Sequence, residues 1–169
     1  FIAVMPTNLY GPNDNFDLER SHVLPAMVRT TYLAKNLQQE NWKAVREDLN
    51  KRPVEGLDGK ASDKEITTML AKYGITKGQL ELWGTGAPMR EFLWSEEMAD
   101  ATVFVMEKVN FEDLIQDKNE IRNCHINIGT GKEISIKDLS YLVSKTVGYQ
   151  GKIRFDSTKP DGTMRKLID

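Results

Sequence analysis

The chain has 169 residues, 40% of them hydrophobic and 28% charged, a formal net charge of −2 and one cysteine, Cys124. That is enough chain for one ordinary domain with a sizeable core, and the near-neutral charge excludes a broad nucleic-acid footprint. One cysteine excludes an internal disulfide and suits a reducing, cytoplasmic setting, while no apolar run reaches membrane-spanning length and no signal peptide is visible.

The chain opens on the apolar run Phe1-Ile2-Ala3-Val4-Met5, which predicts a buried strand. A start in mid-strand, without methionine, predicts a fragment of something longer. Residues 6–17 hold two Pro, one Gly, three Asn and two Asp, the chemistry of a loop. Ser21 is placed as a helix N-cap, with Val23, Leu24, Met27, Val28, Tyr32 and Leu33 at near-helical spacing and Pro25 in the first turn, where its missing N–H is harmless. Residues 35–50 read as an extension of that helix. Ser62 and Glu65 form a capping-box pattern ahead of a short helix over 62–73, stopped by Gly74. The polar stretch 35–78 is expected to be an insertion, mainly helical, on a compact scaffold.

Residues 79–83 alternate as a half-buried strand, 84–88 turn, and 91–94 form a second strand. Ser95 caps a helix through about Val109. His125-Ile126-Asn127-Ile128 is a strand ending at Gly129-Thr130-Gly131, and Ser135 with Asp138 opens a helix through Val147, closed by Gly148. Ile153-Arg154-Phe155 is the last strand, before the turn signal Lys159-Pro160-Asp161-Gly162. Alternating strands and helices predict an α/β fold. The strands are too few and short to close a sheet, so 1–5 and 125–128 are expected to belong to a larger sheet and to expose apolar surface.

Several residues carry candidate chemistry. Gly84-Thr85-Gly86 and Gly129-Thr130-Gly131 invite a phosphate-loop reading, but Met89 and Ile134 stand where G-x-G-x-x-G needs its third glycine, so both read as tight turns. His22 sits between a polar loop and a helix start, where it either donates a proton to a substrate or serves as a structural hydrogen-bonding group. The two histidines and one cysteine have no metal-ligand spacing. Arg90, with its guanidinium fork, suits two phosphate oxygens. Lys152, Arg165 and Lys166 add positive charge, and Trp83 offers a ring to a base or sugar. Together these point to an anionic, partly planar ligand.

Val4 to Pro12, Asp14-Asn15-Phe16 and Ser21 to Pro25 together resemble the GDP-L-fucose synthase family, which are extended short-chain dehydrogenases. The resemblance recurs at Leu82 to Leu93, His125 to Gly131, Gly148 to Gly151 and Phe155 to Thr163, with residues 35–78 as a longer insertion. It implies that the chain is the C-terminal, substrate-binding part of such an enzyme: a single domain over 1–169, with a Rossmann-edge strand and loop at 1–20. The N-terminal NADP-binding domain would be absent, along with its Gly-rich loop, its Ser, its Tyr-x-x-x-Lys pair and its epimerising cysteine. The implied activity is epimerisation of GDP-4-keto-6-deoxy-D-mannose beside its carbonyl, followed by reduction with NADPH.

Residue by residue, the resemblance implies that His22 is the acid/base residue and also borders NADP. It places Pro6, Thr7, Asn8 and Leu9 along the nicotinamide. Trp83 and Arg90 would contact the GDP-sugar, with Lys152, Asp161 and Lys166 as further contacts. A usually basic position is Thr30 here, so either Arg29 substitutes or one phosphate contact is weaker. The fragment alone is expected to be inactive, and its parent a cytoplasmic homodimer. Two alternatives stay open: the substrate domain of another nucleotide-sugar epimerase or dehydratase, and a nucleotide-sugar binding module without chemistry.

Overall fold

Helix α1 (Val23–Gln38) buries Met27, Leu33, Ala34 and Leu37 on one face, as their helical spacing requires. In the computed structural model, which describes residues 1–116 and 120–168, this face packs on α2 (Trp42–Lys51), on strand β3 (Gln79–Trp83) and on α5 (Ile136–Val147). With α3 (Asp63–Lys72) these elements close a core of Leu33, Leu37, Val45, Leu49, Ile66, Leu70 and Leu80. Strand β7 (Lys152–Asp156) pairs parallel to β3, Gln79 opposite Lys152 and Trp83 opposite Asp156. Residues 14–88 and 135–164 make up this unit.

A second unit takes residues 1–13, 89–134 and 165–169. In it β1 (Ala3–Pro6) pairs parallel with β5 (His125–Ile128), while β2 (Asn8–Tyr10) pairs parallel with β4 (Met89–Trp94). Strand β4 also takes β6 (Glu133–Ser135) and the two-residue β8 (Arg165–Lys166). Helix α4 (Ser95–Lys108) packs on β4 and β2. Parallel pairs need crossover connections rather than hairpins, which is the α/β character that alternating elements predict.

Ser62 accepts from the Glu65 N–H while Glu65 answers the Ser62 N–H, so the capping box forms as its spacing predicts. Gly148 ends α5 in the left-handed conformation, φ 81°. Four local expectations change. The extension over 35–50 is two helices: Glu40 turns left-handed (φ 56°) and Asn41 caps α2 afresh. The N-cap of α1 is His22 rather than Ser21. Residues 6–17 contain β2, which exists by pairing with β4 rather than by local propensity. Strand β1 is not buried: only Val4 is half-covered, and Met5 is 53% exposed. Among the described residues β5 is the one neighbour of β1.

Candidate functional site

The predicted site residues divide between the two units. Pro6, Thr7, Asn8, Leu9, Arg90 and Lys166 lie in the unit of β4; His22, Arg29, Trp83, Lys152 and Asp161 lie in the unit of α1.

In the first group, Glu91 is the organising residue, and sequence reasoning missed it. It is fully buried at the centre of β4. Its carbonyl accepts the Asn8 Nδ2 at 2.8 Å and the Thr7 hydroxyl at 3.4 Å, which holds the Pro6–Leu9 segment against β4. Its carboxylate accepts the N–H groups of Thr130 and Gly131 and the Thr130 hydroxyl. A Cβ on Gly129 would stand 2.5 Å from that carboxylate, so the close approach requires glycine. Burial pushes the Glu91 carboxyl up, but the N–H groups of Gly131 and Thr130 and the Thr130 hydroxyl outweigh it, leaving a net shift below the ordinary value. Glu91 shares its strand face with Met89 and Leu93, where a carboxylate must find donors, but the donors come from Thr130 and Gly131, far along the chain.

Arg90 and Lys166 are directly opposed in the β4–β8 register. Arg90 donates to its neighbour's carbonyl, Met89 O, at 2.7 Å. Neither cation has a carboxylate partner among the ion pairs of the described residues. Like charges in register repel, and an anion between them relieves the repulsion. This pairing sets Arg90, expected at the diphosphate, opposite Lys166, expected as a further contact to the GDP-sugar.

In the second group, Trp83 ends β3 and is 67% exposed, with the Lys159 ammonium 5.5 Å from its ring centre. The turn after it is fastened from within: Asp161 accepts the Thr85 N–H at 2.6 Å and the Thr85 hydroxyl at 2.7 Å. Trp83 and Thr30 line one cavity of about 520 Å³, together with Glu19, Glu55, Lys72 and Tyr73. His22 stands exposed at the N-terminus of α1, its carbonyl accepting the Ala26 N–H and its side chain making no cap bond. Among the described residues the imidazole has no hydrogen-bond or ion-pair partner, so it is open to a ligand.

Three of the expected residues are set apart by their surroundings. Arg29 is 3% exposed, and its guanidinium donates to Asp48, Phe16 O and Arg52 O. It is a buried anchor with its donors committed, so it does not replace the basic residue at Thr30. Asp161 has both carboxylate oxygens on Thr85 and holds the turn beside Trp83 rather than facing a ligand. Lys152 faces Gln79 at the other end of the β3–β7 pair, four residues and about 13 Å from Trp83. The Tyr-x-x-x-Lys spacing does occur in the chain, at Tyr73 and Lys77 and at Tyr141 and Lys145. Tyr73 is engaged by Glu19 and Lys77 by Glu40, while Tyr141 and Lys145 are exposed on α5.

Neither Gly-Thr-Gly loop is free to cradle a phosphate, since Glu91 and Asp161 already occupy the threonine donors. The Pro6–Leu9 segment, with Leu9 38% exposed and its polar side chains turned inward, fits the flat apolar face of a nicotinamide and no more of a dinucleotide.

A model of the NAD dependent epimerase/dehydratase family matches residues 53–129. GDP-L-fucose synthase 1 of Arabidopsis thaliana is 38% identical over 168 residues, 99% of this chain. The chain is a relative of the GDP-L-fucose synthases. It spans 37% of the length of that plant protein. Among solved structures, a GDP-6-OMe-4-keto-L-xylo-heptose reductase from C. jejuni is 39% identical with a TM-score of 0.87, matched over 100% of this chain and 46% of that one. A GDP-mannoheptose C4 reductase from Campylobacter jejuni, solved with NADP bound, is 36% identical with a TM-score of 0.78 over 100% and 45% of the two chains.

Proposed function

We propose that this chain is the substrate-binding part of an NADP-dependent enzyme that epimerises and reduces a GDP-linked 4-keto sugar, in a longer protein whose remaining segment binds NADP. The observation that carries this is the Arg90–Lys166 pair, two cations in register with no carboxylate partner among the described residues. A diphosphate supplies the missing charge, and a guanidinium fork suits two of its oxygens. The similarity to GDP-L-fucose synthases supports the keto-sugar.

In this reading Arg90 and Lys166 hold the diphosphate. Epimerisation removes the proton on a carbon beside the C4 carbonyl and returns one to the opposite face. His22 donates that returning proton. When bound, NADPH supplies hydride to C4. Pro6, Thr7, Asn8 and Leu9 form a rim for the nicotinamide, held in place by the Glu91 carbonyl. The Cys124 thiol suits a cytoplasmic setting, and the family resemblance implies a homodimer.

A second reading has its own support. The solved structures at 36–39% identity act, by their titles, on GDP-heptoses. The substrate is then a GDP-4-keto-heptose, with the same diphosphate and the same carbonyl. Steady-state NADPH oxidation by the longer protein separates the two. The first reading predicts higher kcat/KM for GDP-4-keto-6-deoxy-D-mannose, with GDP-L-fucose as the product. Higher kcat/KM for the keto-heptose establishes the second, and oxidation with neither contradicts both.

A further inference from the structure

The strand that carries Lys166 is too short to hold itself in place. Strand β8 is two residues, Arg165 and Lys166, laid parallel along β4 at Met89 and Arg90; strands of about five or six residues are usual. Its placement also works against charge, because the register sets Lys166 beside Arg90. Something outside the ladder has to fasten it.

Successive residues of a strand point to opposite faces. Lys166 and Arg90 therefore share one face of the β4–β8 pair, and Arg165 lies on the other with Met89 and Glu91. On that second face Arg165 is caught. Its Nε donates to Glu133 Oε2 at 2.8 Å, and its Nη2 lies 2.6 Å from the same oxygen. Glu133 opens β6, which pairs with β4 as well. Just past β8, the Ile168 N–H joins the donors around the Glu91 carboxylate.

This ion pair differs from an ordinary surface pair. Lys77 and Glu40 are 69% and 67% exposed, and a pair of that kind contributes little. The Glu133 side chain is 10% exposed, and its Oε1 is buried with no hydrogen-bond partner among the described residues. A sheltered carboxylate is costly to desolvate. Among the described residues its side chain meets that cost with one cation, Arg165.

We infer that Glu133 is a positioning residue for the diphosphate grip: by holding Arg165 on one face of β8, it sets Lys166 beside Arg90 on the other. This rests on the diphosphate role proposed for Arg90 and Lys166. It adds to that role the group that keeps the two cations together against their repulsion. Glu133 acts through β8 and meets no ligand itself.

The inference is tested by a double-mutant cycle in the longer protein, saturated with NADPH. Calorimetric titration gives GDP affinity, NADPH oxidation with GDP-4-keto-6-deoxy-D-mannose gives kcat and KM, and thermal midpoints show that each variant folds. Lys166→Met should weaken GDP binding about 10-fold or more. Glu133→Gln should weaken it about 5-fold alone and less than about 2-fold in the Lys166→Met background, because residues that act through one another are not additive. Its KM should rise while kcat is kept. Arg165 is exposed, so Arg165→Met carries the same cycle if Glu133→Gln does not fold, and Arg165→Lys, which keeps a cation for Glu133, should retain most of the affinity that Arg165→Met loses. An equal loss in both backgrounds, or no loss with Lys166 in place, overturns the positioning role and leaves the diphosphate grip standing. Unchanged GDP affinity in Lys166→Met overturns the grip itself, and the inference with it.

Discussion

Thr85 and Thr130 are held in the same way. Each sits between two glycines and gives its N–H and its hydroxyl to one internal carboxylate, Asp161 for the first and Glu91 for the second. What reads in sequence as a pair of incomplete phosphate loops is a pair of internal latches. Nothing local reveals this, because Asp161 is 76 residues from Thr85 and Glu91 is 39 from Thr130. The Glu91 latch has a pH consequence. Its carboxyl is lowered in the folded state, so its contribution is fully present above the unfolded carboxylate value and is lost as pH falls through the folded one. The Thr130 and Gly131 amide signals should therefore titrate in NMR spectra with a midpoint below that of a free glutamate. Glu91→Gln should abolish that titration and cost about 2 kcal/mol. An unshifted midpoint would refute the latch.

Between elements, the decisive contact is Arg29 with Asp48, which ties α1 to α2 at 2.8 Å with relative exposures of 3% and 10%. The helices on either side are readable from sequence because their signals are local: apolar spacing in α1, the Ser62–Glu65 box of α3, the left-handed Gly148 after α5. The break at Glu40 is not readable, since neither glycine nor proline marks it. Strands β2, β6 and β8 are not readable either, because they are too short for a period and owe their existence to β4. Arg29 misleads for the same reason. Its position on α1 recommends it for a phosphate, and only the packing of α2 brings Asp48 to it. Arg29→Met should leave Asp48 buried without a counter-charge and cost about 3–5 kcal/mol. By thermal unfolding, Arg29→Met/Asp48→Leu should recover most of that loss. A single variant as stable as wild type would show that the pair does not anchor α2 to α1.

For the whole molecule, the candidate site was legible in kind more than in membership. Trp83, Lys166 and His22 are exposed and Arg90 has no carboxylate partner among the described residues, while Arg29 and Asp161 are committed to internal partners. Glu19, Glu55 and Tyr73 entered only once folding gathered them beside Trp83. In the proposed function this chain brings the GDP-sugar grip and one proton donor, His22, to an epimerising reductase. The decisive experiment incubates the longer protein with GDP-4-keto-6-deoxy-D-mannose and NADPH in deuterium oxide, following the product by NMR and NADPH by absorbance. We expect deuterium at the carbons flanking C4 alongside NADPH oxidation. In His22→Asn, deuterium incorporation should fall by about 10²-fold or more while GDP binding is kept. Deuterium entering the product of His22→Asn at the wild-type rate would contradict the proposal.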